Sequence, residues 1–261
     1  MQGSTDITHL SAYKPSAWWN FVTGKTDFQF QFNLPPESGD VSRLQLHSDL
    51  VGMAINLAPF AKEAQQAQPL SLSLILDKQG IDSLHFISDN LISTKDSIGL
   101  NISNLGEYWQ GLLSSPFALG RFWLPRDWDD QSTLNIELQT LHLSALSGLS
   151  LPETENKSPN DFSTLPLLSL VSKAVYYQGL NWGAINLQAE PKADKLHIKK
   201  LNLVSAESHF SASGDWFWQG AEKMQLSGQL LHQNFGEFLQ VRGLSSNLVG
   251  SQAKIDFNLS W

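Results

Sequence analysis

Seven histidines, an acidic run beginning at Asp127 and nine tryptophans are the residues of this chain best suited to chemistry. His9, His47, His85, His142, His197, His209 and His232 stand singly, and no two have the spacing that sets a pair of imidazoles on one helix face. His47, His85, His142 and His197 take the polar positions of alternating stretches and read as solvent-facing strand residues; a metal or acid–base centre needs them to converge in space. Asp127, Asp129 and Asp130 offer calcium-type oxygen ligands, but they lack the glycine and distal glutamate of an EF-hand loop and read as a solvated turn. No GxGxxG, P-loop or GxSxG pattern occurs, so nucleotide binding and a serine nucleophile have no local support. Zero cysteines exclude disulfides, thiol catalysis and thiolate metal sites. Trp123, Trp128, Trp182, Trp216 and Trp218 border turns or strand ends, where they either close a sheet edge or stack on sugar rings. The expectation is a protein that is not an enzyme, with no catalytic residue, no metal ligand and no cofactor.

What the sequence repeats is an alternation. Phe28-Gln29-Phe30-Gln31-Phe32-Asn33-Leu34, Leu70-Ser71-Leu72-Ser73-Leu74, Leu84-His85-Phe86 and Ile255-Asp256-Phe257-Asn258-Leu259 set apolar residues against polar ones with a period of two, the mark of strands with one apolar face. At 261 residues and 41% hydrophobic content the chain has enough apolar surface for a large β domain. Only 16% of residues are charged, and Ser, Gln and Asn fill the outward strand positions. A formal net charge of −8 opposes nucleic acid as a partner. No stretch approaches the roughly 20 apolar residues of a membrane helix, and the opening residues have no signal-peptide pattern. The chain reads as an internal piece of a longer protein.

The separators are turn residues: Pro35-Pro36, Ser38-Gly39-Asp40, Pro59 and Lys78-Gln79-Gly80. They delimit strands near 26–34, 42–48, 51–57, 70–77, 81–88 and 97–103. The stretch from Ile7 to Gly24 reads as a short helix with Gly24 as its stop, and Gly106 to Leu113 as an irregular or helical piece. Leu119 to Leu124 is extended, and the alternation from Leu134 to Leu146 slips across Gln139-Thr140, as a bulge or change of face requires. Residues 153–163 are polar, contain proline and read as a mobile loop. Strands resume near 167–177, 182–190, 195–204, 207–217, 222–232 and 252–260, and Asn234 is placed to cap a short helix through Leu239. No long amphipathic helices alternate with the strands, so the class is all-β with a few short helices, one β-rich region over 1–261.

Several separated motifs resemble the YhdP proteins of the AsmA-like envelope superfamily. Ser48-Asp49-Leu50-Val51-Gly52-Met53-Ala54-Ile55-Asn56-Leu57-Ala58-Pro59-Phe60-Ala61-Lys62, followed by Pro69-Leu70, is similar to that family's S-D-L-x-G signature, with Ala58 where the family has a proline and one residue fewer. Leu124-Pro125-Arg126-Asp127-Trp128, Leu165-Pro166-Leu167-Leu168, Gly183, Ser213-Gly214-Asp215-Trp216 and Asp256-Phe257-Asn258-Leu259-Ser260-Trp261 follow in the family's order. The resemblance implies the periplasmic part of a Gram-negative protein anchored in the inner membrane. It also implies a bridge-like carrier of phospholipid toward the outer membrane, with acyl chains, the rest of its parent chain and other envelope proteins as partners.

Period two shows an apolar face but not whether a second sheet covers it. By pattern alone a closed sandwich comes first. The resemblance reverses that order and implies an extended, curved antiparallel sheet forming an open groove, a β-taco or half-barrel. The residues expected to line it are Phe28, Phe30, Phe32, Leu44, Leu46, Ile55, Leu57, Leu72, Leu74, Leu84, Phe86, Leu134, Ile136, Leu187, Ile198, Leu226, Phe257 and Leu259. The alternatives are a carbohydrate- or peptidoglycan-binding module using exposed Trp, and a structural spacer.

Overall fold

The computed structural model describes residues 1–13, 19, 21–34, 41–56, 61–78, 80–89, 96–127, 129, 131–146, 165–217, 224–241 and 250–260. The mobile loop expected at 153–163 falls outside them, as do Leu57, Trp128, Asp130 and Trp218. The chain forms two compact units, Met1–Arg126 with His142–Lys157, and Asp127–Leu141 with Ser158–Trp261.

The first unit carries β1 (Gln2–Asp6), α1 (Ile7–Tyr13), β2 (Val22–Asn33), β3 (Ser42–Ser48), β4 (Met53–Ile55), β5 (Leu70–Asp77), β6 (Gly80–Asp89), β7 (Ser97–Asn104), β8 (Tyr108–Ser114) and β9 (Ala118–Pro125). Its strand order is β1-β2-β3-β5-β6-β7-β8-β9, with β4 paired to β2 alone. These pairings are antiparallel, as short turns between consecutive strands dictate. In the second unit lie β10 (Thr133–His142), β11 (Leu167–Tyr177), β12 (Leu180–Pro191), β13 (Lys195–Val204), β14 (Ser208–Phe217), β15 (Met224–His232), α2 (Phe235–Val241) and β16 (Ala253–Ser260). From β11 to β16 it is an antiparallel meander. The Leu167 N–H donates to the Ser132 carbonyl at 2.7 Å, which brings the first residues of β11 to the start of β10. All-β architecture with short helices is what the alternation and turn residues predict.

Three local readings are corrected, and one strand is added that they did not include. Gly106 to Leu113 is not irregular: Tyr108–Ser114 is β8, paired with β7 and β9 along its length. Its apolar residues fall on both faces, Trp109 and Leu113 on one and Tyr108 and Leu112 on the other, which erases the period-two signal. Gln2–Asp6 is a strand with no apolar residue to announce it; β2 recruits it by backbone pairing. Gly24 does not stop a helix, since α1 spans Ile7–Tyr13, capped by Asp6 Oδ1, which accepts from the Thr8 N–H and hydroxyl. Gly24 instead sits in β2 with φ +100°, where a Cβ would lie 2.1 Å from the Gly52 carbonyl oxygen. The strand read at 51–57 shortens to β4, because Leu50 at φ 53° and Gly52 at φ 93° turn the chain there.

Other expectations hold. Leu138 and Leu141, three residues apart, are both buried, as an extra residue at Gln139-Thr140 requires. Asn234 caps α2: its side-chain amide donates to Glu237 Oε2 at 2.6 Å and its Oδ1 accepts from the Glu237 N–H.

Candidate functional site

Antiparallel register decides which side chains share a face, because directly paired residues point the same way. In the first unit it builds two rows across the sheet. One is Phe30, Leu46, Leu72, Phe86, Leu100, Leu113 and Gly120; the other is Phe32, Leu44, Leu74, Leu84, Ile102, Gly111 and Phe122. Gly111 does not break its row, because the Phe122 ring lies over it, 2.0 Å from where a Cβ would stand. The large side chains of both rows are partly exposed, Phe32 to 45%. Two sheets packed face to face would bury them, so the apolar face is open here, as in the groove reading and unlike the sandwich.

The opposite face carries Gln29, His47 and Ser71 in one row and Gln31, Gln45, Ser73, His85 and Asn101 in the next. Its members bond across strands: His47 Nδ1 to Ser71 Oγ at 2.9 Å, and His85 Nδ1 to Asn101 Oδ1. These two histidines are exposed strand residues, as their alternation positions predict.

The second unit repeats the arrangement with Leu170, Leu187, Leu201, Ala212, Gly228 and Phe257, beside Ser172, Ile185, Leu203, Phe210, Leu230 and Ile255. Phe257 covers Gly228 and stacks on Phe210 at 5.2 Å. At one end α2 folds onto this face. His232 is buried against Phe238 at 4.7 Å and Phe235 at 6.2 Å, and Phe238 meets Trp182 edge-on at 6.2 Å. His232 Nδ1 accepts the Asn234 N–H at 3.0 Å, so the ring belongs to the cap of α2.

Of the residues expected to line the face, Phe28, Phe30, Leu44, Leu46, Ile55, Leu72, Leu74, Leu84, Phe86, Leu134, Ile136, Leu187 and Phe257 are partly exposed, and Phe32 and Leu259 more so, to nearly half of their surface. Ile198 and Leu226 are buried, at 5% and 7% exposure. Leu100, Ile102, Leu113, Phe122, Leu201, Leu203, Phe210 and Leu230 share the rows but escaped the sequence reading. For Leu100 and Ile102 the alternation from Ile98 was the available signal.

The signature segment closes one end of the first unit. Gly24 and Gly52 cross backbone to backbone, the Lys25 N–H donating to the Gly52 carbonyl at 3.1 Å, and neither position has room for a Cβ. Lys62, 6% exposed, donates from Nζ to the carbonyls of Leu50, Met53 and Glu63 at 2.9, 2.5 and 3.2 Å. Burial holds its ammonium below the ordinary lysine range, with Asp49 pulling the other way. Gln68 then reaches over the apolar face, donating to Ser88 Oγ at 3.1 Å; Ser88 shares a row with Leu70 and Ile98.

Charged side chains gather on the polar face of the second unit. Glu190 pairs with Lys192 and with Lys199 at 2.9 Å, and those hydrogen bonds take its carboxyl down to about 2. Burial pushes the Asp215 carboxyl up, but hydrogen bonds from His197 at 2.8 Å and Lys195 at 3.2 Å outweigh it and hold it below its ordinary value. Asp129 Oδ1 accepts from Ser132 Oγ and from the Gln131 and Ser132 N–H groups, a bonded turn. Among the described residues no three His, Asp or Glu side chains come together as a metal set, and no helix is long and apolar enough to cross a membrane. Arg121 lies over Trp123 at 4.8 Å, and Trp182 packs on Phe238. Trp216 remains exposed at 43%.

The chain is all-β, with a partly exposed apolar face on one side of its strands and polar ladders on the other, uncharged in the first unit and carrying ion pairs in the second. The family model described as YhdP protein matches residues 93–261, about two thirds of the chain, and the chain belongs to that family of cell-envelope proteins, within the AsmA-like superfamily. No curated protein and no solved structure matches it.

Proposed function

We propose that this chain is a periplasmic section of a bridge-like phospholipid carrier, holding acyl chains against the apolar face of its sheet, and that it performs no catalysis. The observation that supports this reading is the pair of unbroken, partly exposed apolar rows from β2 to β9. An acyl chain of about 16 carbons leaving a bilayer for water loses about 0.8 kcal/mol per methylene, a barrier on the order of 12 kcal/mol. Contact with Leu, Ile and Phe side chains offsets most of it. Interchangeable aliphatic and aromatic contacts also keep the affinity even from strand to strand, so that a lipid moves on instead of lodging. Membership in a cell-envelope family is consistent with a periplasmic site for this transfer.

Lipid extraction and mass spectrometry of the purified chain test the reading, with phospholipid expected to co-purify. Leu72→Asp and Phe86→Asp face each other across β5 and β6, and either places an unpaired charge in the acyl path. Both are expected to lower bound lipid several-fold while leaving the circular dichroism of the sheet intact. Folded variants with undiminished lipid, or a wild-type chain free of lipid, would overturn the proposal. The glycan-binding alternative predicts instead a Trp fluorescence response to peptidoglycan fragments without lipid.

A further inference from the structure

The apolar rows account for one face of the first unit, but its other face holds a hollow that they do not explain. The ladder between β2 and β3 stops at Gln29 and His47. Beyond that pair β2 stays bonded to β1 through Phe28, Asp27 and Thr26, and the Ser48 hydroxyl spans the gap to β3 by donating to the Asp27 carbonyl at 2.7 Å. A pocket of about 760 Å³ opens there, within the range of about 300–1,000 Å³ usual for small-molecule sites. Register gives one row of its lining as Gln2, Gln29, His47 and Ser71. The next row along the strands is Ser4, Asp27, Asp49 and Pro69. Thr26, Phe30, Leu46 and Leu72, which flank this place on the apolar side, are not part of the lining, so the hollow lies on the polar face.

Its chemistry selects a ligand. Asp27 and Asp49 bring two carboxylates, and no Lys or Arg lines the hollow; Lys25, two residues before Asp27, stands opposite Asp6. A phosphate or carboxylate is repelled by such a site. A metal ion is poorly served as well, because among the described residues no third His, Asp or Glu joins them as a metal set. Asp49 spends Oδ1 on the Val51 N–H at 3.0 Å and His47 spends Nδ1 on Ser71 Oγ at 2.9 Å, and each keeps a second polar atom, Oδ2 and Nε2. Among the described residues no side-chain hydrogen bond occupies Gln2, Ser4, Asp27 or Gln29. The carboxylates accept, the carboxamides and imidazole accept or donate, and the Pro69 ring adds an apolar surface. Neighbouring hydroxyls on a sugar ring, each a donor and an acceptor beside a C–H face, match that set.

We infer that this hollow binds a neutral saccharide segment of an envelope glycan, with Asp27, Asp49, Gln29 and His47 taking its hydroxyls, on the side of the sheet opposite the apolar rows. The inference stands apart from the lipid reading, which uses the other face, and from glycan stacking on Trp, since no Trp lines the hollow. Asp49 and Pro69 give the signature segment a part in recognition as well as in the turn.

Titration calorimetry of the intact chain with two uncharged trisaccharides, triacetylchitotriose and maltotriose, tests this. Saturable binding of at least one is expected, little changed between about 0.05 and 0.5 M salt. Asp27→Ala and Gln29→Ala are each expected to weaken it about tenfold with the circular dichroism of the sheet unchanged. Gln45→Ala, on the same face but outside the hollow, is expected to bind as the wild type does. No saturable heat from either sugar would overturn the inference. So would undiminished affinity in Asp27→Ala and Gln29→Ala, loss of binding in Trp216→Ala instead, or binding of spermidine without binding of either sugar, which would mark a simple cation site.

Discussion

Lys62 shows how far a single residue can be read. Its place in the signature is visible in the sequence, yet its role is visible only in the structure, where a buried ammonium gathers the carbonyls of Leu50, Met53 and Glu63 into one point, the first and last of them also accepting the N–H groups of Met53 and Gln66. Lys62→Met keeps the aliphatic stem and removes three hydrogen bonds from a charged donor, so it is expected to cost about 2 kcal/mol in urea unfolding. Glu190 gives a pH dependence with a definite sign. Its carboxyl stays ionised in the folded chain down to about 2, against an ordinary value of 4.5, so its stabilisation is complete above about 4.5 and is lost as pH falls toward 2. Glu190→Gln is expected to flatten that part of the stability–pH curve, an effect that shrinks in about 1 M salt because the group is exposed. Asp215 contributes in the same direction. The histidines were legible where alternation placed them on the polar face. His232 was not, because its burial depends on a helix that doubles back over the strand end.

At the scale of elements, the strands with clean alternation were placed to within a few residues, since period two with flanking turn residues allows little else. β8 was lost because Gly111 owes its place to a phenylalanine on the next strand, a contact that no local pattern records. The Gly24–Gly52 crossing was equally hidden: two glycines 28 positions apart meet only after β4 has paired with β2. A matched pair of substitutions isolates the crossing. Gly24→Ala is expected to destabilise by about 3 kcal/mol or more through backbone collision, whereas Gly80→Ala, at φ 115° with nothing within 4 Å, costs only the conformational strain of about 1 kcal/mol. Thermal unfolding of the two variants side by side checks this. Asn234→Ala removes the cap of α2 and is expected to cost about 1 kcal/mol.

At the scale of the molecule, the sequence carries the class and the face but not the cover. Alternation states that Phe30 and Leu46 point one way and Gln29 and His47 the other, and no periodicity reports whether another layer lies above them. Their partial exposure answers that for each unit, and the buried Ile198 and Leu226 show that cover varies from row to row. On the reverse side, Gln29, Gln31, Gln45, Ser71, Ser73 and Asn101 meet water without a formal charge, and the strand register in the first unit depends on neutral hydrogen bonds such as His47 to Ser71. Neutral bonds are little affected by dissolved ions. The first unit of an envelope protein built this way keeps its strands in step through swings of osmolarity and divalent-cation supply that would loosen a sheet laced by ion pairs.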